Sequence, residues 1–227
     1  MKYTPILLLV LALAAGATSC KRDDYFSGKD THNAKVEMTT YDFLKAHPQG
    51  LFDTLLLLID KAGLKDKINQ SNTTFFAPTD YAITNYLNRR VVQEQNIDPF
   101  RKWTIDSLIK YELPKFTDSI NVYLVNQPLS FDKLTENGLV TPTLKTGANA
   151  VTSWEFTNDA NLGYNPNVGS FPRIVYYALL LRDVPPPIVS AELTATDARR
   201  VRVQTAGIQT NTGMVHVLNN GHTLFFR

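Results

Sequence analysis

The sequence predicts an α+β domain, with helices in its first half and strands in its second. Three observations carry that prediction. Across residues 40–111 apolar side chains recur at helical spacing. Beyond Pro114 the chain changes to short runs of β-branched and aromatic residues. Near the end, two such runs flank Asn219-Asn220-Gly221, and Asn-Gly is the strongest short-range hairpin signal.

In chain order, the first element is a segment to be removed. Lys2 supplies a positive start, and residues 6–15 form an apolar run without a charge. A bilayer core needs about twenty such residues, so this run reads as the hydrophobic region of a signal peptide over residues 1–19. Ala17-Thr18-Ser19-Cys20 resembles the lipobox of bacterial lipoproteins, with Ala17 where Leu is usual. Cys20 is the single cysteine of the chain, so no internal disulfide explains it. The resemblance implies that Cys20 carries several acyl chains, enough for a stable anchor. Asp23 and Asp24 are similar to the acidic export tags of surface lipoproteins in Bacteroidetes, which implies an outer-membrane, surface-exposed protein. Residues 20–35 are polar and read as a flexible tether, leaving one domain over residues 36–227.

Within that domain, Phe43 and Leu44 belong to a first helix that breaks at Pro48-Gln49-Gly50. Leu51, Phe52, Leu55, Leu56 and Ile59 mark one face of a second helix, which Gly63 stops, and Leu64 with Ile68 mark one further turn. Thr73-Thr74-Phe75-Phe76 is a short strand ended by Ala77-Pro78. Thr79 is placed to cap the next helix, which buries Ile83, Tyr86 and Leu87. Asp98-Pro99 reads as the start of another helix running to about Tyr111, with Phe100, Trp103, Leu108 and Ile109 as its buried stripe. Strands are expected over residues 120–125, 150–156, 173–181, 200–204, 213–218 and 222–226. Pro185-Pro186-Pro187 cannot lie inside a central strand.

Two segments then carry a family resemblance. Thr73-Thr74-Phe75-Phe76-Ala77-Pro78-Thr79-Asp80 is similar to the first signature of the fasciclin-type adhesion domain, a strand ending in Ala-Pro-Thr-Asp before a helix. Asn211-Thr212-Gly213-Met214-Val215-His216-Val217-Leu218 is similar to its second signature. Between them the family carries a Tyr-His pair, and Tyr111 sits in its place with Glu112 where the His would be. The resemblance spans residues 36–227, with extra length between about Pro114 and Pro187. It implies a wedge of β-sheets packed with N-terminal helices, a non-catalytic role in adhesion or ligand recognition, and structural roles for the motif residues.

The residues themselves offer little to an enzyme. With 44% hydrophobic and 19% charged residues and a formal net charge of +2, the chain shows no basic patch, so nucleic acid is not an expected partner. His32, His47, His216 and His222 do not stand at metal-ligand spacing, and no metal or cofactor is expected. There is no Gly-x-Ser-x-Gly elbow and no glycine-rich phosphate loop. His216 lies on a strand apolar on both sides and is expected in the core, hydrogen-bonded to backbone or a hydroxyl. Asp80 is expected to complement the dipole of the helix it opens.

Recognition is expected from the long middle region. Trp154, Tyr164 and Phe171 cluster around a loop rich in Asn, Gly and Pro over residues 158–172. Flat aromatic faces on a loop suit stacking on sugar rings. Phe156, Tyr176 and Tyr177, within strand-like runs, are expected to pack the core, while for Tyr164 both roles stay open. The chain is thus expected to be a surface lipoprotein that binds a protein or glycan. The alternative is a structural accessory of an outer-membrane transporter complex for nutrient (glycan) uptake, and a hydrolase with unpaired carboxylates is a third reading.

Overall fold

A computed structural model describes residues 34–226 of the chain. The expected signal segment, Cys20, His32 and most of the expected tether lie outside the described residues. Within them the fold is α+β. Strand β1 (Ala34–Lys35) leads to α1 (Thr40–Lys45), which starts where the Thr39 side chain accepts the Asp42 N–H. Helix α2 (Asp53–Lys61) buries Leu55, Leu56, Leu58 and Ile59, and α3 (Lys65–Ile68) adds the turn that buries Ile68. Strand β2 (Thr73–Ala77) is buried at every position, as a central strand covered on both faces must be. Helices α4 (Asp80–Gln95) and α5 (Ile105–Ser119) follow.

The second half supplies β3 (Leu124–Val125), β4 (Leu139–Pro142), β5 (Asn149–Phe156), β6 (Arg173–Leu180), β7 (Ala198–Gln209) and β8 (Gly213–Leu218). The strands lie in the order β3-β2-β8-β7-β6-β5-β4, with β1 pairing parallel to β7. Strand β7 organises the sheet. Its first half pairs with β6 and its second half with β8, and two register irregularities between Val203 and Ile208 bend it in between. Gly207, at φ +79°, lies within the second irregularity. The bend brings the outer strands round to each other: Val125 of β3 bridges Thr143, just past β4. Helical residues such as Leu55, Ile59 and Phe116 share the enclosed core with Phe75, Phe76, Tyr177 and Val215.

Four sequence expectations are corrected, each for a packing reason. The helix expected from Asp98-Pro99 begins instead at Ile105, because Asp98 turns back to accept the Phe100 N–H, and Thr104 with Ser107 forms the actual start. Phe100 is consequently not part of a buried stripe. That helix also runs through Pro114 to Ser119. Proline inside a helix costs about 3 kcal/mol, but stopping there would forfeit the burial of Phe116.

Residues 120–125 are not one strand; Ile120–Tyr123 is a 3-10 turn, and strand pairing starts only at Leu124. Finally, Asn219-Asn220-Gly221 does not close a hairpin. Both edges of β8 are already taken by β2 and β7, so no ladder is free for a returning strand. The Asn85 side chain instead donates to the carbonyls of Asn220 and His222, and Leu224–Phe226 forms a 3-10 turn with Leu224 and Phe226 in the core.

Candidate functional site

The two motif segments, about 140 residues apart in the chain, are neighbours in the sheet. Strand β2 pairs with β8 in parallel, in register from Thr73 with Gly213 to Ala77 with Val217. Phe76 faces His216 across this pair with their rings stacked at 5.1 Å, and Tyr177 of β6 packs on Phe76 at 4.1 Å. The Tyr177 hydroxyl donates to the Val122 carbonyl.

His216 has no exposed surface. Its Nε2 lies 2.8 Å from the Leu129 carbonyl, which only accepts, so Nε2 carries the proton. Nδ1 then accepts the Gly207 N–H at 3.3 Å, the one the bend in β7 turns inward. Burial lowers the His216 pKa to about 4, so the ring is neutral at pH 7. His222 is a second buried imidazole, with Nε2 at 2.8 Å from the Tyr123 hydroxyl and a pKa lowered by burial to about 3. The Tyr123 oxygen also accepts the Phe225 N–H at 3.0 Å. Both rings knit loops to the core and neither faces solvent. Among the described residues no group of three or more His, Cys, Asp or Glu side chains is placed to hold a metal.

The other motif residues divide in the same way. Thr79 occupies the cap position of α4, but its hydroxyl donates to Asn220 Oδ1 at 3.0 Å rather than capping the helix. Asp80 serves a different helix from the one it opens. Its two carboxylate oxygens accept the N–H groups of Thr54 and Leu55, at 2.8 and 2.9 Å, in the first turn of α2. Phe52 precedes that turn and has no capping group, so Asp80 supplies the anion the helix start favours. Asp80→Ala is expected to cost about 1–2 kcal/mol in a urea melt, and a change within experimental error would show that the cap contributes nothing. Ala77 is fully buried, while Pro78 lies between β2 and α4. Tyr111 is 61% exposed, with Trp103 at 5.9 Å; the neighbouring Glu112 accepts the Tyr86 hydroxyl at 2.6 Å.

Of the expected ligand residues, Trp154 lies near the end of β5, and Tyr164 and Phe171 lie in the loop between β5 and β6. Two-residue periodicity puts Trp154 and Phe156 on one face of β5, with Arg173 paired opposite Phe156. Trp154 is half-buried and pinned, its indole N–H donating to the Leu134 carbonyl at 2.9 Å. The Arg173 guanidinium lies over Phe131 at 4.5 Å and over Trp154 at 5.2 Å. Phe156, expected in the core, is 57% exposed, because the last pair of the strand projects past the packed part of the sheet; it meets Trp154 edge-on at 5.0 Å. Tyr177 is fully buried and Tyr176 half-buried beneath the Arg200 guanidinium.

The loop that follows is built rather than loose. The Thr157 N–H donates to the Pro172 carbonyl at its base, Asp159 accepts the Asn161 N–H, and Asn165 accepts that of Asn167. On it Tyr164 stacks on Phe171 at 5.2 Å and 12°, leaving Phe171 54% exposed. The two aromatic pairs thus flank the Thr157–Pro172 bond. Sequence reasoning named Trp154, Tyr164 and Phe171 but missed Phe131 and Arg173. Arg173 was readable as the cross-strand partner of Phe156, whereas nothing local marks Phe131. Two open clefts lie elsewhere, one of about 610 Å³ beside Pro114 and Asn121 and one of about 300 Å³ beside Arg89 and Arg199. Neither is lined by these aromatics.

No family model matches the chain, and no curated protein matches it. Among solved structures it is similar to a FAS1 domain pair from the insect cell adhesion molecule fasciclin I, with 14% identity and a TM-score of 0.45. The match covers 79% of this chain and 47% of that one, so the chain spans about half the length of the pair.

Proposed function

We propose that this chain is a surface lipoprotein of the outer membrane whose fasciclin-like domain recognises a glycan without catalysing its turnover. The observation that carries the reading is the exposed aromatic platform at the end of β5 and β6. Phe156 and Phe171 are both exposed, and Arg173, paired opposite Phe156, is a donor for hydroxyl or carboxylate oxygens. Stacking on ring faces is the chemistry by which a shallow site holds a sugar, and the stiff loop keeps its cost in entropy low. The fasciclin-like assignment is supported by its two signature segments lying side by side as β2 and β8. In this reading Phe76, His216 and Gly213 build the scaffold, and the platform binds.

Titration of the purified protein with a glycan panel, read by tryptophan fluorescence, tests it. Trp154 touches Phe156 and Arg173, so a bound sugar is expected to change its emission. Phe156→Ala and Tyr164→Ala are each expected to weaken binding about tenfold or more, equivalent to about 1.4 kcal/mol, with an unchanged melting temperature. No response to any glycan from the wild-type protein would remove the reading. Recovery of a membrane transporter with the protein from its native membrane would then favour the accessory role.

A further inference from the structure

Between α4 and α5 the chain turns outward. The connection carries Ile97-Asp98-Pro99-Phe100-Arg101-Lys102-Trp103, and Phe100 is 90% exposed with Ile97 at 69%. The turn is held, since the Asp98 carboxylate accepts the Phe100 N–H and the Asp98 carbonyl accepts that of Arg101, both at 3.0 Å. Behind it the Trp103 ring packs against the Arg90 guanidinium at 4.2 Å, and Lys110 lies over Tyr111 at 4.9 Å. Glu94 sits between Arg90 and Arg101, at 3.0 and 3.1 Å, so its charge is balanced within the protein. A phenyl ring kept in water forgoes the stabilisation of burial, and Phe100 is the most exposed large apolar side chain among the described residues.

We propose that this turn is where the domain rests on an anionic lipid surface, that of the membrane its own N-terminal lipid enters. The proposal rests on the lipid-anchor reading of Cys20. Phe100 and Ile97 enter the headgroup boundary, Trp103 and Tyr111 lie at its level, and Lys102 and Lys110 meet the lipid phosphates. Aromatic rings flanked by Lys and Arg are the side chains that favour this interface, and an anionic surface attracts each cation brought to it. The feature is a protruding ring and not a groove, which suits a fluid surface better than a folded partner. Distance agrees as well: from Cys20 to Ala34 the chain spans at most about 50 Å. An anchored domain is therefore always near lipid, and weak insertion is enough to orient it.

The test uses the full lipidated protein on vesicles of phosphatidylcholine alone or mixed equally with phosphatidylglycerol, with brominated acyl chains as quenchers. The chain has two tryptophans, and a Trp103→Phe control assigns the signal. Trp103 is expected to be quenched on the mixed vesicles, less so at high salt, and Phe100→Ser is expected to cut that quenching at least about twofold. Phe100 is exposed, so this variant keeps its fold. Flotation of wild type but not Cys20→Ala with neutral vesicles tests the anchor separately. If wild type does not float there, the anchor reading fails, and Phe100-dependent quenching on mixed vesicles still decides whether the turn meets lipid. Unquenched Trp103 on floating protein would overturn the proposal, as would Phe100-dependent dimerisation without quenching.

Discussion

Gly213→Ala is expected to destabilise the domain by about 3 kcal/mol. A Cβ at this position would lie 2.3 Å from the Thr73 carbonyl oxygen and 3.2 Å from its carbon. These are backbone atoms of the paired strand, so no side chain can swing aside to relieve the contact. Relief requires β2 and β8 to part at the first pair of their register, and β2 carries Phe75 and Phe76 into the core. For a domain of this size the melting temperature should fall by roughly 6–12 °C. Gly169→Ala is the matched control, because nothing lies within 4 Å of its added methyl. A Gly213→Ala protein melting within a degree of that control would refute the close approach.

Acid should unfold the protein through its two buried histidines. The folded pKa values, about 4 for His216 and about 3 for His222, lie below the unfolded value near 6.5. Below pH 6.5 the unfolded chain therefore takes up protons that the folded chain refuses. Stability is complete above that pH and falls as pH drops toward the folded values. Each histidine contributes a slope of about 1.4 kcal/mol per pH unit, so the combined loss by pH 4 is on the order of several kcal/mol. Urea midpoints measured from pH 7 to pH 4 check this, and a flat profile would contradict it. His216→Ala should halve the slope and lower the neutral-pH stability by roughly 3 kcal/mol, through its cavity and the orphaned Leu129 carbonyl. Glycan binding at the platform should survive in whatever fraction stays folded.

Several features were legible because they are local. The apolar spacing of α2 and the β-branched and aromatic runs of β2 and β5 each follow from the residues of one element, and the structure has all three elements. The α+β class follows from their order along the chain. Where reasoning was local and the outcome was not, it failed in a consistent way. Asn-Gly after β8 has hairpin chemistry, but a hairpin needs a free edge and β8 has none. Pro114 has breaker chemistry, but Phe116 and Ile120 beyond it belong to the core. Phe156 has strand chemistry, yet it lies where the sheet outruns its packing.

By itself, then, the sequence determined the class and the strongest periods: the helical face of α2, the extended runs of β2, β6 and β8, and that two distant motifs frame the domain. Only the tertiary structure decided what those segments serve. It made Asp80 the cap of a helix it does not belong to, and it set Gly213 against the Thr73 backbone. It also gathered Phe131, Arg173, Trp154 and Phe156 at one end of the sheet. The reason is physical. Periodicity is a property of neighbours along the chain, whereas caps, close approaches and binding surfaces depend on pairs that meet only when the core closes.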